Sequence, residues 1–296
     1  MTEAVSATTT WRPGIVTLLA DRAHDVWSRR ELLYEFALRD VRIRYRQAAL
    51  GVLWALLMPG LTVLASIVLR LVASHGAMDV AVGDRAAIAG VAVKAVAWAF
   101  FSGAVSLATG SLAANASLLG RVYFPREILP LASVSAQSTD LLAGSVTALL
   151  MVLALGAGVL GAQLVWVPLL VVLLVALTAA LSSVLACANL FFRDVRYIVQ
   201  VLLTFGMFFT PVFFDAGQIG SRAGRIMMLN PVAPLLEGLR LVVVNGHNLL
   251  QPLSLASGAV VWQPWYLAYS ATWAVASVIG ATLLYSRLEL AFAEYV

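Results

Sequence analysis

The stretch VWVPLLVVLLVALTAALSSVLACA, Val165–Ala188, carries no charged residue along its whole length. A helix needs about 20 mostly apolar residues to cross the hydrocarbon core of a bilayer. Only a helix satisfies every backbone polar group of such a segment in lipid without help from another segment. Five further stretches read the same way: Leu50–Val72, Ala95–Ala114, Leu131–Ala154, Val195–Phe214 and Trp265–Tyr285. Composition agrees, with 61% apolar and 11% charged residues over 296 positions. A soluble domain is nearer one half apolar and one quarter charged. The expected fold is therefore an all-α membrane protein of six spans, one domain over residues 50–288. Trp54, Trp98, Trp166 and Trp265 stand near the expected span ends, as interfacial anchors do. The first long apolar stretch is a full span, so no cleavable leader is expected.

Charge orients the spans. Arg12, Arg22, Arg29, Arg30, Arg39, Arg42, Arg44 and Arg46 precede the first of them, and Arg121, Arg126, Arg193, Arg196 and Arg287 fall on the same side. The other side receives Arg70, Arg85, Lys94, Arg222, Arg225 and Arg240. The excess of basic residues on one side predicts that both termini are cytoplasmic. Residues 1–28 would then form a cytoplasmic N-terminal segment. Lys94 would sit at the outer edge of the second span, its stem snorkelling to water.

Two stretches are neither spans nor ordinary loops. In residues 29–46, RRELLYEFALRDVRIRYR, the residues Tyr34, Leu38, Val41 and Tyr45 recur at helical spacing and predict one apolar stripe. Glu35 and Arg39 stand four apart, as do Arg42 and Arg46. Such an amphipathic helix is expected to lie flat at the cytoplasmic headgroups. The second stretch, residues 215–264, holds an apolar run from Leu229 to Val244 broken by Pro231, Pro234, Glu237 and Arg240. It is too short and interrupted to span, and reads as a re-entrant or interfacial helix between spans five and six.

Asp140 lies within the third span, where an ionised carboxylate costs on the order of 2.5–3.5 kcal/mol unless it faces protein or water. Its residue type allows a structural or a pore-lining role. Phe205, Phe208, Phe209, Phe213 and Phe214 cluster near the end of span five, either as packing rings or as an aromatic wall for a passing sugar. Catalytic inventories fail. His24, His75 and His247 lie outside the spans, and neither G-x-S-x-G nor H-E-x-x-H occurs. The single lysine follows Val93 rather than a glycine, so no Walker A loop can form. Cys187, the one cysteine, reads as a small apolar packing residue, and no spacing suggests a metal. The basic balance is explained by topology rather than by nucleic acid.

Four quoted segments resemble the ABC type 2 permeases that export bacterial polysaccharides. They are LRDVRIRYRQAALGVLWALLMP (Leu38–Pro59), SLLGRVYFPREILPLA (Ser117–Ala132), NLFFRDVRYIVQ (Asn189–Gln200) and LNPVAPLLEGLR (Leu229–Arg240). The resemblance implies a pore made by two copies of this chain in the bacterial cytoplasmic membrane, with two copies of a separate ATPase beneath it. Mg-ATP would be bound by that partner, and this chain would hold no cofactor. Leu119, Arg121, Tyr123, Phe124, Pro125, Arg126 and Glu127 would form a coupling helix on the ATPase, with Arg193 and Asp194 as a second contact. Residues 29–46 become an interface helix, and Arg42, Arg44 and Arg46 become candidates to meet a lipid-linked diphosphate. A purely topogenic role suits these arginines equally. Asp140, Phe205, Phe208 and Phe209 would line the channel. Asn230, Pro231, Pro234, Glu237 and Arg240 would form the exit gate. The implied cargo is a polyprenyl-diphosphate-linked glycan: O-antigen, capsule, teichoic acid or a cell-wall glycan. A small lipophilic compound such as an antibiotic is the alternative cargo, and a polytopic enzyme of lipid or glycan metabolism the alternative class.

Overall fold

The computed structural model describes residues 15–45, 53–73, 85–119, 125–158, 161–215, 221–254 and 260–288. In chain order the helices are α1 (Ile15–Ser28), α2 (Arg30–Tyr45), α3 (Leu53–Ala73), α4 (Arg85–Ala114), α5 (Ala116–Leu119) and α6 (Ile128–Ala154). There follow α7 (Trp166–Phe191), α8 (Val195–Gly206), α9 (Ser221–Met227), α10 (Ala233–Asn245) and α11 (Pro264–Leu288). Among the described residues four helical runs are long and apolar enough to cross a membrane: Arg85–Ala114, Ile128–Ala154, Ala162–Phe191 and Pro264–Arg287. The all-α expectation meets one small exception, an antiparallel pair of β1 (Leu253–Ser254) with β2 (Val260–Trp262).

Helix α4 is the axis of the bundle, touching α3, α6, α7, α8 and α10. Its first half, RAAIAGVAVKAVAW, is rich in Ala and Gly, which lets neighbouring backbones approach closely. It starts at Arg85 rather than Ala95, and this corrects two sequence expectations. Lys94 stands inside the helix and is 0% exposed, so it does not snorkel. Trp98 is buried with Phe101, their ring centres 5.5 Å apart, and is no interfacial anchor.

The fifth expected span, Val195–Phe214, is helical only to Gly206. There a Cβ would lie 3.1 Å from the Trp98 ring, so glycine sets the close approach of α8 to α4. Beyond it the turn tightens: Phe208 N–H donates to the Phe205 carbonyl and Phe209 N–H to that of Gly206. Pro211 then supplies no N–H to continue an α-helical ladder.

Helix α2 forms where the periodicity placed it, but its packed face is rotated from the expected stripe. Tyr34 is exposed, whereas Leu33, Phe36 and Ala37 pack on Ala132 and Ala136 of α6 with Val41 at the margin. Contacts advance together along both helices, from Asp40 at Ser133 to Arg44 at Asp140, so α2 runs beside α6. Arg39 reaches Asp40 and Asn115 rather than Glu35. The adjacent Asp40 and Asn115, just past the end of α4, outweigh the weak local pair that i,i+4 spacing offers.

Candidate functional site

At one end of the bundle a cluster of Leu112, Ile128, Leu129, Ala186, Cys187 and Tyr285 joins the ends of α4, α6, α7 and α11. Leu32, Leu33 and Phe36 of α2 pack against it. The same end displays the coupling candidates. Pro125 and Arg126 are half-buried where α6 begins, and Glu127 lies 3.6 Å from Arg22 of α1. Arg193 and Asp194 are exposed in the α7–α8 turn, where Asn189 Oδ1 accepts the Arg196 N–H. Arg121, Tyr123 and Phe124 lie outside the described residues, as does the side chain of Leu119. So does Arg46 among the headgroup candidates, while Arg42 is exposed on α2.

Arg44 has a partner that its spacing did not suggest. Its Nη1 lies 2.5 Å from Asp140 Oδ2, which also accepts from Gln137 Nε2 at 2.8 Å. One turn earlier, Asp40 accepts from Ser133 Oγ at 3.1 Å and from Arg39 Nη2 at 3.2 Å. Asp140 stands about 18 Å along α6 at 1.5 Å rise per residue. An aspartate in an apolar helix is tolerated when paired, and here α2 delivers the partner.

The other end holds a second charged group, almost wholly enclosed. Lys94 Nζ donates to Asp215 Oδ1 at 2.8 Å and to the Phe214 carbonyl at 3.1 Å, and lies 3.6 Å from Glu237 Oε2. Arg240 Nη2 and Nε donate to Glu237 Oε1 at 2.6 and 3.1 Å, and Arg240 Nε lies 3.3 Å from Asp215 Oδ1. Two cations and two carboxylates thus join α4, the turn after α8 and α10. Buried charges persist when neutralised and hydrogen-bonded. Asp215 and Lys94 were missed by motif reading. The available signal was a lysine and two acids stranded in apolar sequence on one side of the membrane.

Helix α10 itself is buried from Ala233 to Val242. Pro234 falls in its first turn, where a missing N–H is harmless, and the left-handed Gly246 (φ 60°) closes it. The gate candidates before it hold it in place. Asn230 Oδ1 caps the Val232 N–H at 3.1 Å, and the Pro231 carbonyl accepts from Ser270 of α11 at 2.9 Å. Gly90, one turn before Lys94, leaves room for the Arg240 stem, since a Cβ there would lie 2.8 Å from Arg240 Cδ. Gly90→Ala is expected to lower stability by about 1–3 kcal/mol through overpacking. Unfolding in detergent measures this, and an unchanged midpoint would mean that the stem moves aside freely.

Helix α8 and the turn that follows it present an uncovered apolar face. Phe205, Phe208 and Phe209 are each more than half exposed, Phe209 at 73%, while Phe208 stacks on Phe213 with ring centres 5.7 Å apart. Among the described residues no group of His, Cys, Asp and Glu could hold a metal ion.

Comparison with known proteins places this arrangement among transport proteins. The family model described as ABC-2 type transporter matches residues 31–244. The O-antigen export system permease protein RfbA of Myxococcus xanthus is 29% identical over 249 residues, covering 80% of this chain and 91% of that protein. An O-antigen export system permease protein RfbA of Klebsiella pneumoniae is 24% identical over 220 residues, covering 73% and 81%.

Proposed function

The chain belongs to the ABC-2 type transporter family, and we propose that it is the membrane-spanning subunit of an ATP-driven exporter for an O-antigen-type polysaccharide. The observation that carries this reading is the match over residues 31–244, which runs from the start of α2 to the end of α10. It thereby takes in the paired α2 and α6, the exposed phenylalanines and the buried α10. The names of the relatives supply the class of cargo.

In this reading α3, and α8 with its continuation to Phe214, complete six crossings of the bacterial cytoplasmic membrane. Both termini face the cytoplasm, on the side rich in arginine. Two copies form the pore, and the ATPase is a separate chain that binds Mg-ATP. It contacts the segment Leu119–Glu127 and the turn at Arg193 and Asp194. Helix α2 borders the cytoplasmic opening, where Arg42 and Arg46 meet the diphosphate of a polyprenyl-linked glycan and Arg44 is held by Asp140. The flat apolar rings of Phe205, Phe208 and Phe209 let a polar chain slide past without directional hydrogen bonds to hold it. Helix α10 closes the far side, tied by Glu237 and Arg240.

The test is genetic and biochemical. In cells lacking this chain, surface polysaccharide should disappear and its lipid-linked precursor accumulate inside. Full export should return only when this chain and its ATPase are both present. Unchanged surface polysaccharide after deletion would refute the reading. The Phe208→Ala/Phe209→Ala variant should insert normally yet export long chains several-fold more slowly. An unaltered rate and length distribution would place these rings outside the pathway.

A further inference from the structure

Basic residues on the arginine-poor side of the chain call for a reason, because the charge asymmetry of a membrane protein selects against them there. Of the six on that side, Lys94 and Arg240 belong to the buried ionic group. Two of the other four, Arg222 and Arg225 of α9, line one hollow of about 730 Å³ together with Trp265 and Tyr266 at the start of α11. A second hollow, of about 570 Å³, continues from Trp265 along α11 past Tyr269, Thr272 and Trp273 to Ala276. The two share Trp265, so a cationic mouth leads into an aromatic and apolar groove.

The rings in the groove form a ladder at i, i+4 and i+8. Trp265 meets Tyr269 edge-on with ring centres 5.8 Å apart, and Tyr269 meets Trp273 at 6.4 Å. Their polar handles at the mouth already serve the protein. The Trp265 indole N–H is donated to Gln263, and the Tyr269 hydroxyl to the Leu229 carbonyl at 2.5 Å. What remains outward is ring face and edge, which suits hydrocarbon. Trp265 and Trp273 are each about half exposed, and aromatic residues of this kind settle at the membrane–water boundary.

We propose that the Arg222–Arg225 mouth and the Trp265–Tyr269–Trp273 groove together bind one anionic glycerophospholipid. The phosphate is held by the two guanidinium groups, which pair with phosphate through charge-assisted hydrogen bonds. An acyl chain lies along the ladder. From Trp265 to Ala276 the groove runs about 17 Å at 1.5 Å per residue. That is close to half the roughly 30 Å thickness of the hydrocarbon core, the reach of an acyl chain in one leaflet. A polyprenyl chain would overrun it. The site needs the chain to be in a membrane but depends on neither the cargo nor the ATPase.

Native mass spectrometry of the purified protein, exchanged against phosphatidylglycerol or phosphatidylcholine, tests the assignment. Wild type should retain phosphatidylglycerol with a preference of about tenfold, and Arg222→Gln/Arg225→Gln should lose that preference. Trp273→Ala should lower retention of both lipids, since it shortens the groove and leaves the mouth, which Trp273 does not line. Equal retention of phosphatidylglycerol by wild type and the arginine variant would overturn the proposal. So would preferential retention of a polyprenyl phosphate, or a disulfide between two copies formed by Thr272→Cys, which would show a second copy covering this face. The readout uses no export assay, so failure of the export reading and failure of this site are separate results.

Discussion

Replacing Lys94 by methionine is expected to lower the stability of the folded protein by about 3–5 kcal/mol, the cost of leaving an uncompensated charge in a buried ion group. Lys94 and Glu237 are both 0% exposed, and Asp215 and Arg240 complete the set. Without the ammonium, Asp215 loses its 2.8 Å partner and the Phe214 carbonyl loses its donor. Arg240 alone would then face two carboxylates. Replacing both members of an opposed pair by apolar residues of similar size is much less costly than removing one. The Lys94→Met/Glu237→Met double variant should therefore recover part of the loss. Unfolding of the purified protein in detergent, followed by tryptophan fluorescence, measures all three. A single variant indistinguishable from wild type would show that water reaches the group and solvates the carboxylates. Because the cluster ties α10 to α4, the single variant should also loosen the segment proposed as the exit gate. Faster amide hydrogen exchange along α10 would report that loosening.

Reversing one charge of the Arg44–Asp140 pair should abolish export, and reversing both should restore a measurable part of it. Arg44→Glu would set a new carboxylate against Asp140 with Asp40 one turn away, and like charges brought together cost several kcal/mol. The contact is 2.5 Å in the native chain, with both side chains about one quarter exposed or less. Arg44→Glu/Asp140→Arg recreates the attraction in reverse order. A double-mutant cycle on stability should give a coupling of about 0.5–3 kcal/mol. If both single reversals export as wild type does, α2 is not held to α6 through this pair. If the cycle shows coupling but export is untouched, the pair supports the fold and has no part in the cytoplasmic opening.

These two ion groups also show where the sequence stopped being informative. Asp140 stood out as a carboxylate in an apolar helix, open to a structural or a pore-lining role. Its partner could not be read, since Arg42, Arg44 and Arg46 are alike in type, and it is the packing of α2 on α6 that brings Arg44 to Asp140. Lys94 was assigned to a span edge because the apolar window was begun at Ala95. Helix α4 continues back to Arg85 because its Ala-rich first turns are covered by α10 and α6, a gain that no window of one segment contains. For α2 the periodicity of Tyr34, Leu38, Val41 and Tyr45 identified the helix, and the face that packs on α6 is the neighbouring one at Leu33, Phe36 and Ala37. The polar residues Asp40 and Arg44, which hydropathy assigns to water, are the ones that α6 receives.

What the sequence determined by itself was the class of the molecule and the approximate place of its long apolar helices. The cost of placing a segment in lipid is a sum over its own residues, so Val165–Ala188 could be recognised as a span without any neighbour. The four quoted segments carried the resemblance in the same local way. The partners of the buried charges, the end of helix at Gly206 and the rotation of α2 were decided only in the tertiary structure. Each depends on which atoms from distant parts of the chain arrive within about 3 Å of one another, and no single segment holds that information.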